Sequence, residues 1–600
     1  MRSLLAGILL LTAPAIAQQI NPKQILGTWI AQTLNSSQTI SGTLDAQVLN
    51  KAYHASAYSG SDVGMKINAA DADAGSDRAD IVVNVTGTVS TVPVLHSNHR
   101  LLLNVPLTWT VAPIVFNNTQ ILGNGSKAVQ RITSSSIEWM HSSNLTNFAM
   151  SNVWFSNSIT GSTDELFLSH CRTCKDITFT GNHFFGIGGL FTDSTALTYA
   201  GVNSGNLSQN VIFCNNFMDG GTNGVLTLAN FHFTQNVIAS NNMARNSYYG
   251  LVWWGGNAVT NGANPSNPRW SQNISITGGT FTNMRAAVWG GMGQNITVTG
   301  ITADGCSDVC LDAESSTNVS FTGFSLKNSV AGAIGVFFDS HNVTFGSGVI
   351  SSDTASGMSS MFLYNASFDP KRSTNIKVHD VKFICNDAST VCQIVSDPIG
   401  NLEFVNNTLA NTKLVMSSTN SSGYRISGNL FLYTHAVPTF SAITIPGSVH
   451  AFLPDNYIEG NRFVSFVTQP RGTFAINAAI TDPDYPDRLH VSDNATQGFS
   501  NDATFNANSS NADISPTFIF RNNVWKANSV AKVKTGVLGT FQGYDVDATT
   551  DQTNITGKIK SVAGYEFKGT ADGSFTMTIT GCTIVFRVGI PISHTGVSCP

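Results

Sequence analysis

The most regular feature of the chain is a short phrase of alternating polar and apolar residues that returns through its middle. It occurs as Asn273-Ile-Ser-Ile-Thr-Gly, Asn295-Ile-Thr-Val-Thr-Gly, Asn318-Val-Ser-Phe-Thr-Gly and Asn342-Val-Thr-Phe-Gly-Ser, at intervals of 22, 23 and 24 residues. Such alternation predicts a β-strand, because successive side chains of a strand point to opposite faces. One strand phrase in each period of about 20–50 residues is typical of a solenoid.

Weaker copies of the phrase extend the pattern in both directions. They begin at Asn147, Asp176, Asn210 and Asn236 upstream, and at Asn375, Asn401, Gly423, Asp455 and Thr517 downstream. The sequence therefore predicts roughly thirteen coils, each about 4.8 Å tall and holding about three short strands. The recurring Asn and Gly fit tight bends in left-handed backbone, and stacked Asn side chains are expected to hydrogen-bond from coil to coil.

With this phrase the chain resembles the pectate lyase-like superfamily, whose right-handed parallel β-helix is shared by polysaccharide lyases, polygalacturonase-like hydrolases and tailspike-like proteins. The resemblance covers about residues 59–525. It implies an all-β, right-handed parallel β-helix, but no single reaction, since this scaffold hosts many chemistries. The stretch from Asp62 to Asn68 is similar to the opening of many β-helix enzymes, where a short helix caps the end of the solenoid.

Four segments follow from these patterns. We expect a signal peptide at 1–17, an N-terminal lead-in and cap at 18–80, the parallel β-helix at 81–526 and a small C-terminal β-rich domain at 527–600. The signal is predicted from Arg2, the apolar run Leu4 to Leu11 and the small residues up to Ala17. The apolar run is too short to span a membrane and none follows it, so we expect a secreted protein without a membrane partner.

The overall charge of the chain limits the classes of partner that we expect. The formal net charge is only −5 and charged residues make up 11% of the chain, with no Lys/Arg run. Nucleic acid is therefore not an expected partner. The sequence does not decide the oligomeric state or the role of the C-terminal domain.

The nine cysteines suit export to an oxidising compartment. Three pairs are close in sequence and are candidate disulfides: Cys306/Cys310, Cys385/Cys392 and Cys582/Cys599. Cys171, Cys174 and Cys214 leave one cysteine over, and their pairing stays open. Zinc is a weaker alternative for Cys171-Arg-Thr-Cys174, because no second ligand pair follows at a suitable spacing.

Candidate chemistry is densest in three consecutive coils. The first carries Tyr249 and Trp254, with Trp253 and Trp254 competing for the outward position. The second carries Arg285 and Trp289. The third carries Asp308, Asp312 and Glu314. Alternation places Val309, Leu311 and Ala313 in the bore, and Cys310, Asp312 and Glu314 outside in solvent. Counting back from the repeated Asn residues aligns Trp289 with Asp312, and Asp339 bounds the resulting groove.

These residue types suit the cleavage of a polysaccharide. In glycoside hydrolysis one carboxyl group acts as the general acid and a second acts as the base or the nucleophile. Asp312 and Glu314 are therefore the candidate catalytic pair, with Asp308 in support. Aromatic rings stack on sugar faces, and Arg285 is a candidate substrate clamp. Hydrolysis is favoured over β-elimination, because acids outnumber candidate bases. No cofactor is required, although calcium between the carboxylates stays open. The rival hypothesis is a non-catalytic glycan-binding or adhesin-like protein on the same scaffold.

Overall fold

The computed structural model describes residues 51–133, 140–157, 167–196, 198–221, 225–354, 373–396, 399–416, 423–435, 440–445, 455–467, 474–480, 488–507 and 517–524. Beyond these it describes Val533–Thr535, Thr540–Gln542, Lys558–Ser561, Ser574–Ile579, Cys582–Arg587 and Ile590–Thr595. The expected signal peptide at 1–17 lies outside the described residues.

Strands stack in parallel on three faces of a coiling chain. The first face pairs the following strands in order: Lys51–His54, Ala79–Val83, His99–Leu103, Gln120–Gly123, Thr146–Ser151, Lys175–Thr180, Ser208–Cys214, Thr234–Trp254, Ser271–Gly291, Gly293–Thr299, Thr317–Thr322, His341–Gly346, Thr374–His379, Gly400–Val405, Arg425–Ser427, Asp455–Glu459, Arg488–Ser492, Thr517–Arg521, Thr540–Gln542 and Lys558–Ser561. These are more coils than the roughly thirteen expected, because several of these strands lack a recognisable Asn phrase.

The second face follows the first in each coil. Its strands are Gly87–Val89, Leu107–Trp109, Gln130–Ile132, Trp154–Asn157, His183–Phe185, Phe217–Asp219, Thr302–Asp304, Ser325–Lys327, Val349–Ser352, Lys382–Cys385, Thr408–Ala410, Leu430–Tyr433, Arg462–Ser465 and Ala495–Gln497. The long strands Thr234–Trp254 and Ser271–Gly291 continue through the second face to the third, so these two coils pair along all three faces.

The third face closes each coil. Its strands are Met140–Ser143, Phe167–Arg172, Gly188–Asp193, Thr227–His232, the ends of the two long strands, Val309–Glu314 and Gly332–Phe337. At the same place in earlier coils lies the pair Val94–Leu95 and Ile114–Val115. In later coils it is a six-stranded sheet, formed by Cys392–Ser396, Thr412–Met416, Ser441–Ile445, Phe474–Ile480, Asn501–Ala507 and Val533–Thr535. The fold is therefore an all-β parallel β-helix, as predicted.

The repeated Asn residues form a ladder along the helix axis. Asn295 donates its side-chain N–H to Asn273 Oδ1 at 3.3 Å, Asn318 donates to Asn295 at 3.1 Å, and Asn342 donates to Asn318 at 3.0 Å. Each has φ near 57°, the left-handed region that Asn tolerates better than most residues. Both expectations for this position, the bend and the coil-to-coil bond, are confirmed.

Stacked apolar side chains fill the bore. The residues that directly follow the ladder Asn residues pair from coil to coil: Ile274 with Ile296, Ile296 with Val319, and Val319 with Val343. All four are buried in one continuous core. A β-branched side chain suits this position, because it packs well against its equivalents on a pleated surface.

One α-helix, Val63–Ala74, lies at the N-terminal end of the described chain. Asp62 begins it by accepting a hydrogen bond from the Met65 N–H at 2.9 Å, which satisfies an otherwise unpaired helix donor. Val63, Ile67 and Ala70 join the same core as the first strands. The short 3₁₀ turns at Ala55–Ala57, Gly125–Ala128 and Tyr199–Gly201 complete the helical elements.

Described strands continue past residue 526, where the C-terminal domain is expected to begin. Parallel pairing continues past that boundary, since Thr540–Gln542 pairs with Thr517–Arg521 and then with Lys558–Ser561. A separate three-stranded antiparallel sheet follows, built from Ser574–Ile579, Cys582–Arg587 and Ile590–Thr595. The described β-helix thus extends into the region expected to be a distinct domain.

Three cysteine pairs form disulfides: Cys171–Cys174, Cys306–Cys310 and Cys385–Cys392. Cys214 is the free cysteine of the described chain, and the expected pair Cys582/Cys599 falls partly outside it. The weaker zinc interpretation of Cys171 and Cys174 is wrong, because their sulfurs bond to each other. No helix in the described ranges has the length and apolar character needed to cross a membrane.

Candidate functional site

Most of the candidate residues lie on or beside the strands of the third face. Parallel pairing places His232 beside Trp254, Trp254 beside Gly291, and Gly291 beside Glu314. We call these four positions the outer row. In the same two coils Val288 pairs with Leu311, so Trp289 lies opposite Asp312. The alignment obtained by counting back from the ladder Asn residues is therefore confirmed.

The two adjacent tryptophans of the first coil face opposite ways. Trp253 is completely buried in the bore, while Trp254 is partly exposed on the outside. Gly290 in the next coil makes this packing fit, since a Cβ there would lie 1.8 Å from the Trp253 indole. The choice that the sequence left open is thus decided in favour of Trp254 as the outward ring.

Glu314 is partly exposed, unlike Asp312 on the same strand. Its Oε1 accepts a hydrogen bond from Trp289 Nε1 at 3.2 Å. Burial raises the pKa of Glu314 to about 7, against the opposing effect of the Trp289 hydrogen bond and the Arg285 charge. A carboxyl group with this pKa changes its protonation state at neutral pH, which is what acid–base catalysis requires.

Asp312 does not lie in solvent as expected; its residue is only 5% exposed. Asp312 pairs with Gly335 in the next coil. The aromatic ring of Phe337 lies over Gly335, since a Cβ on Gly335 would be 2.5 Å from that ring. Asp312 Oδ1 is buried without a hydrogen-bond partner among the described residues. Burial, followed by the negative charges of Glu314 and Asp308, raises the pKa of Asp312 well above its ordinary value.

The alternation that placed Cys310 outside fails at the start of this strand. Cys310 belongs to the buried core and is tied to Cys306. A Cβ on Gly335 would lie 2.9 Å from Val309 Cγ1, so Val309 packs beside that outward position. The regular inside–outside pattern begins only at Leu311, because the disulfide holds the preceding residues at a bend.

Arg285 and Asp308 form an ion pair beside the carboxyl groups. Arg285 Nε lies 3.0 Å from Asp308 Oδ2, and its guanidinium lies 4.7 Å from the centre of the Tyr248 ring and 5.7 Å from that of Tyr249. Tyr249 in turn stacks on Trp289, with ring centres 5.4 Å apart. The chain therefore brings aromatic, cationic and acidic groups from three coils into one surface.

Arg285 is a poor base in this setting. Burial lowers its pKa, but Tyr249 and the hydrogen bond to Asp308 outweigh that effect and raise the pKa overall. The guanidinium therefore keeps its charge, which suits binding of an oxygen-rich substrate rather than proton abstraction.

Sequence reasoning missed the other end of the outer row. The imidazole of His232 stacks on Trp254, with ring centres 4.4 Å apart, and its Nδ1 lies 3.2 Å from Asp193 Oδ1. Burial raises the pKa of Asp193 to about 6 and lowers that of His232 to about 3. A signal was present: His232 precedes ladder residue Asn236 by four positions, as Glu314 precedes Asn318.

Asp339 is not part of the groove surface, contrary to expectation. It is 3% exposed and lies past the end of strand Gly332–Phe337. Its Oδ2 is 3.8 Å from Arg269 Nη2, and its Oδ1 is 3.2 Å from His341 Nε2. Arg269 also donates to Ser315 O at 3.2 Å. Asp339 therefore lies against Arg269 of the loop at residues 257–270 and not on the groove surface.

That loop borders the outer row. Ser315, which follows Glu314, donates its hydroxyl to Ala258 O at 2.9 Å. A Cβ on Gly291 would lie 3.4 Å from the Trp254 ring and 3.7 Å from Ala258 Cβ. The loop and Trp254 thus flank the small residue that separates Trp254 from Glu314, as expected for an insertion at a turn of a solenoid.

No protein-family model and no curated protein matches this sequence. Structural likeness is found to the A-module of a mannuronan C-5 epimerase of Azotobacter vinelandii, with 12% identity and a TM-score of 0.40, covering 70% of this chain and 100% of that one. It is also found to a family 28 exopolygalacturonase of Yersinia enterocolitica (10%, TM-score 0.38, 66% and 79%) and to tailspike protein 3 of bacteriophage CBA120 (12%, TM-score 0.42, 68% and 64%).

At such identities and TM-scores these likenesses carry no argument about chemistry. The fold rests on the strand pairing itself, which runs in parallel through coil after coil on each face. This chain is an all-β parallel β-helix protein, the architecture that its resemblance to the pectate lyase-like superfamily predicted.

Proposed function

We propose that this protein is a secreted carbohydrate-active enzyme that cleaves a polysaccharide on the outer surface of the third face. The observation that carries the proposal is the pair Asp312 and Glu314: two carboxyl groups on one strand, both with raised pKa, beside the stacked rings of Trp289 and Tyr249. Two such residues in extended chain are about 6.6–7 Å apart at their backbones, a spacing from which the side chains reach either side of a glycosidic bond.

The two carboxyl groups are unequal, which suggests their roles. Glu314 has a hydrogen-bond donor in Trp289, which favours its charged form. Asp312 is more buried and faces the charge of Glu314. Burial raises the pKa of both groups, but the Trp289 hydrogen bond favours the charged form of Glu314. We therefore assign Glu314 as the base or nucleophile and Asp312 as the proton donor to the leaving oxygen.

The neighbouring groups position the substrate. Trp254 and Trp289 are the platforms for sugar rings, and Tyr249 extends the second of them. Arg285, held by Asp308, offers its remaining N–H groups to hydroxyl or carboxylate oxygens. Hydrolysis is preferred over β-elimination because the cationic candidate for a base, Arg285, stays charged. The three disulfides suit an extracellular setting.

A panel of polysaccharides tests the proposal with the full secreted chain. Hydrolysis releases reducing ends without new ultraviolet absorbance, whereas β-elimination adds ultraviolet absorbance because it creates a conjugated double bond. We expect reducing ends only, and their loss in Glu314→Gln by about 10²–10⁴-fold. Full turnover in Glu314→Gln would remove the assignment.

The second candidate is a glycan-binding protein without turnover. The burial of Asp312 favours it, because a shielded carboxyl group is poorly placed to protonate a leaving oxygen. Retention of a polysaccharide without any product, lost in Trp254→Ala and kept in Glu314→Gln, is the result that selects binding over cleavage.

A further inference from the structure

Two histidines and one aspartate meet at the N-terminal end of the chain, far from the outer row in sequence. Asp71 lies on the helix Val63–Ala74, and its side chain is buried. His99 Nδ1 is 2.6 Å from Asp71 Oδ1, and His96 Nδ1 contacts Asp71 Oδ2. The ligand atoms of the three side chains all lie within 4.8 Å of one another.

The second nitrogen of His99 shows which way the ring is protonated. His99 Nε2 lies 3.0 Å from the carbonyl oxygen of Asp77. A carbonyl only accepts, so Nε2 carries a hydrogen and donates it. Nδ1 is therefore the ring nitrogen that faces the buried Asp71 carboxylate, at 2.6 Å from Oδ1. Donation from the far ring nitrogen to a carbonyl oxygen is the usual arrangement of a metal-binding histidine.

The backbone brings the two rings to one carboxylate. His96 to His99 form a tight turn, in which the His99 N–H bonds His96 O at 3.4 Å, and Asn98 has φ of 71°. The His96 N–H also approaches Asp71 Oδ1 at 3.3 Å. His99 is completely buried, while the side chain of His96 is 58% exposed. The site is therefore preformed on one side and open to solvent on the other.

We propose that Asp71, His96 and His99 bind a zinc ion that ties the N-terminal helix to the first coils. Two imidazole nitrogens and one carboxylate match zinc, and solvent reaches the site for a fourth ligand. Calcium, which takes oxygen ligands, fits this set poorly. Because the ligands come from the helix and from the turn, the ion binds the folded chain and stabilises it.

Zinc binding is tested by titration of the full chain, purified without a histidine tag and stripped with chelator. We expect one Zn²⁺ per chain, a higher Tm with Zn²⁺ than with chelator, and no such effect of Ca²⁺. Co²⁺ in the same site is expected to give the visible absorption of a tetrahedral complex. His96→Ala is the informative variant, because an exposed side chain is replaced without opening the core.

His96→Ala is expected to weaken Zn²⁺ binding by at least the about 10–100-fold typical of changes to outer-shell partners. Because this variant also loses the contact between His96 and Asp71, binding is compared at a temperature at which both metal-free proteins are folded. Asp71→Asn is expected to abolish binding. The control is His379→Ala, which removes a histidine whose Nδ1 lies 2.7 Å from Asp380 and should leave zinc binding unchanged. Absence of binding, or binding that persists in Asp71→Asn, overturns the proposal in favour of a hydrogen-bonded His–Asp–His cluster.

Discussion

Trp289 donates its indole N–H to the carboxyl group of Glu314 in the next coil, with 3.2 Å between Nε1 and Oε1. This bond stabilises the charged form of Glu314, while burial stabilises the neutral form, and the balance leaves its pKa at about 7. Asp312, two residues earlier on the same strand, has no comparable donor at its buried Oδ1 within the described part of the chain. One indole therefore makes two neighbouring carboxyl groups unequal.

Replacing Trp289 with Phe tests this relationship. Loss of a hydrogen bond to a charged group removes about 1.5–3 kcal/mol, so we expect the pKa of Glu314 to rise by about one unit or more. The acidic limb of the pH profile of kcat/KM then moves to higher pH. Trp254→Phe is the matched control, since Trp254 stacks in the same row without a hydrogen bond to Glu314. An unmoved acidic limb in Trp289→Phe contradicts the role of this bond.

The raised pKa of Glu314 also predicts how stability depends on pH. Between the ordinary glutamate pKa of 4.5 and the folded value of about 7, the folded chain binds more protons than the unfolded one. The contribution of Glu314 to the free energy of unfolding therefore falls as pH rises through this window, by at most about 3 kcal/mol. Glu314→Gln should flatten that part of the curve, measured by denaturant unfolding at pH 5 and pH 8. Parallel curves for both proteins would refute the prediction.

The fold was predictable because its signals are local and repeated. A strand phrase with Asn at the bend specifies the turn, the inward residue and the coil-to-coil bond together, so one phrase predicts the whole ladder from Asn273 to Asn342. The same regularity predicted that Trp289 lies opposite Asp312. The same regularity also indicates the position of His232, which precedes ladder residue Asn236 by four positions, as Glu314 precedes Asn318.

The predictions that the structure contradicts concern the exposure of Asp312 and Asp339, which depends on side chains that are distant in sequence. Asp312 is only 5% exposed, and the ring of Phe337 lies over Gly335, the residue that pairs with Asp312 in the next coil. Alternation gives the direction of a side chain but not the neighbour that covers it. Likewise, Asp339 is buried and lies 3.8 Å from Arg269, which reaches it from an inserted loop. Nothing in the strand period specifies where such a loop folds back.

The Asn ladder predicts an order of stability for two variants of Asn318. Asn318→Ala loses the bonds to Asn295 and Asn342 and leaves a Cβ residue at φ of 57°. Asn318→Gly loses the same bonds but adopts this backbone without steric cost. We expect Ala to lower the free energy of unfolding by about 1–2 kcal/mol more than Gly. Chemical denaturation of both variants measures the difference, and an Ala variant as stable as the Gly variant contradicts it.

The loop at residues 257–270 predicts a contrast between the two members of its buried ion pair. Arg269 donates to three carbonyl oxygens, those of Pro265 at 2.9 Å, Asn267 at 2.8 Å and Ser315 at 3.2 Å. Asp339 approaches it only at 3.8 Å. Arg269→Met should therefore release the loop and increase its cleavage by protease, whereas Asp339→Asn keeps all three carbonyl bonds and should leave cleavage near the unmodified rate.

The same contrast extends to the site, because the loop borders Gly291 and Glu314. If the loop walls the substrate groove, Arg269→Met raises KM more than it lowers kcat, since the carboxyl groups themselves are untouched. Asp339→Asn is the matched control for a change at the same ion pair. Equal protease sensitivity of the two variants would show that the ion pair, and not the carbonyl bonds of Arg269, holds the loop in place.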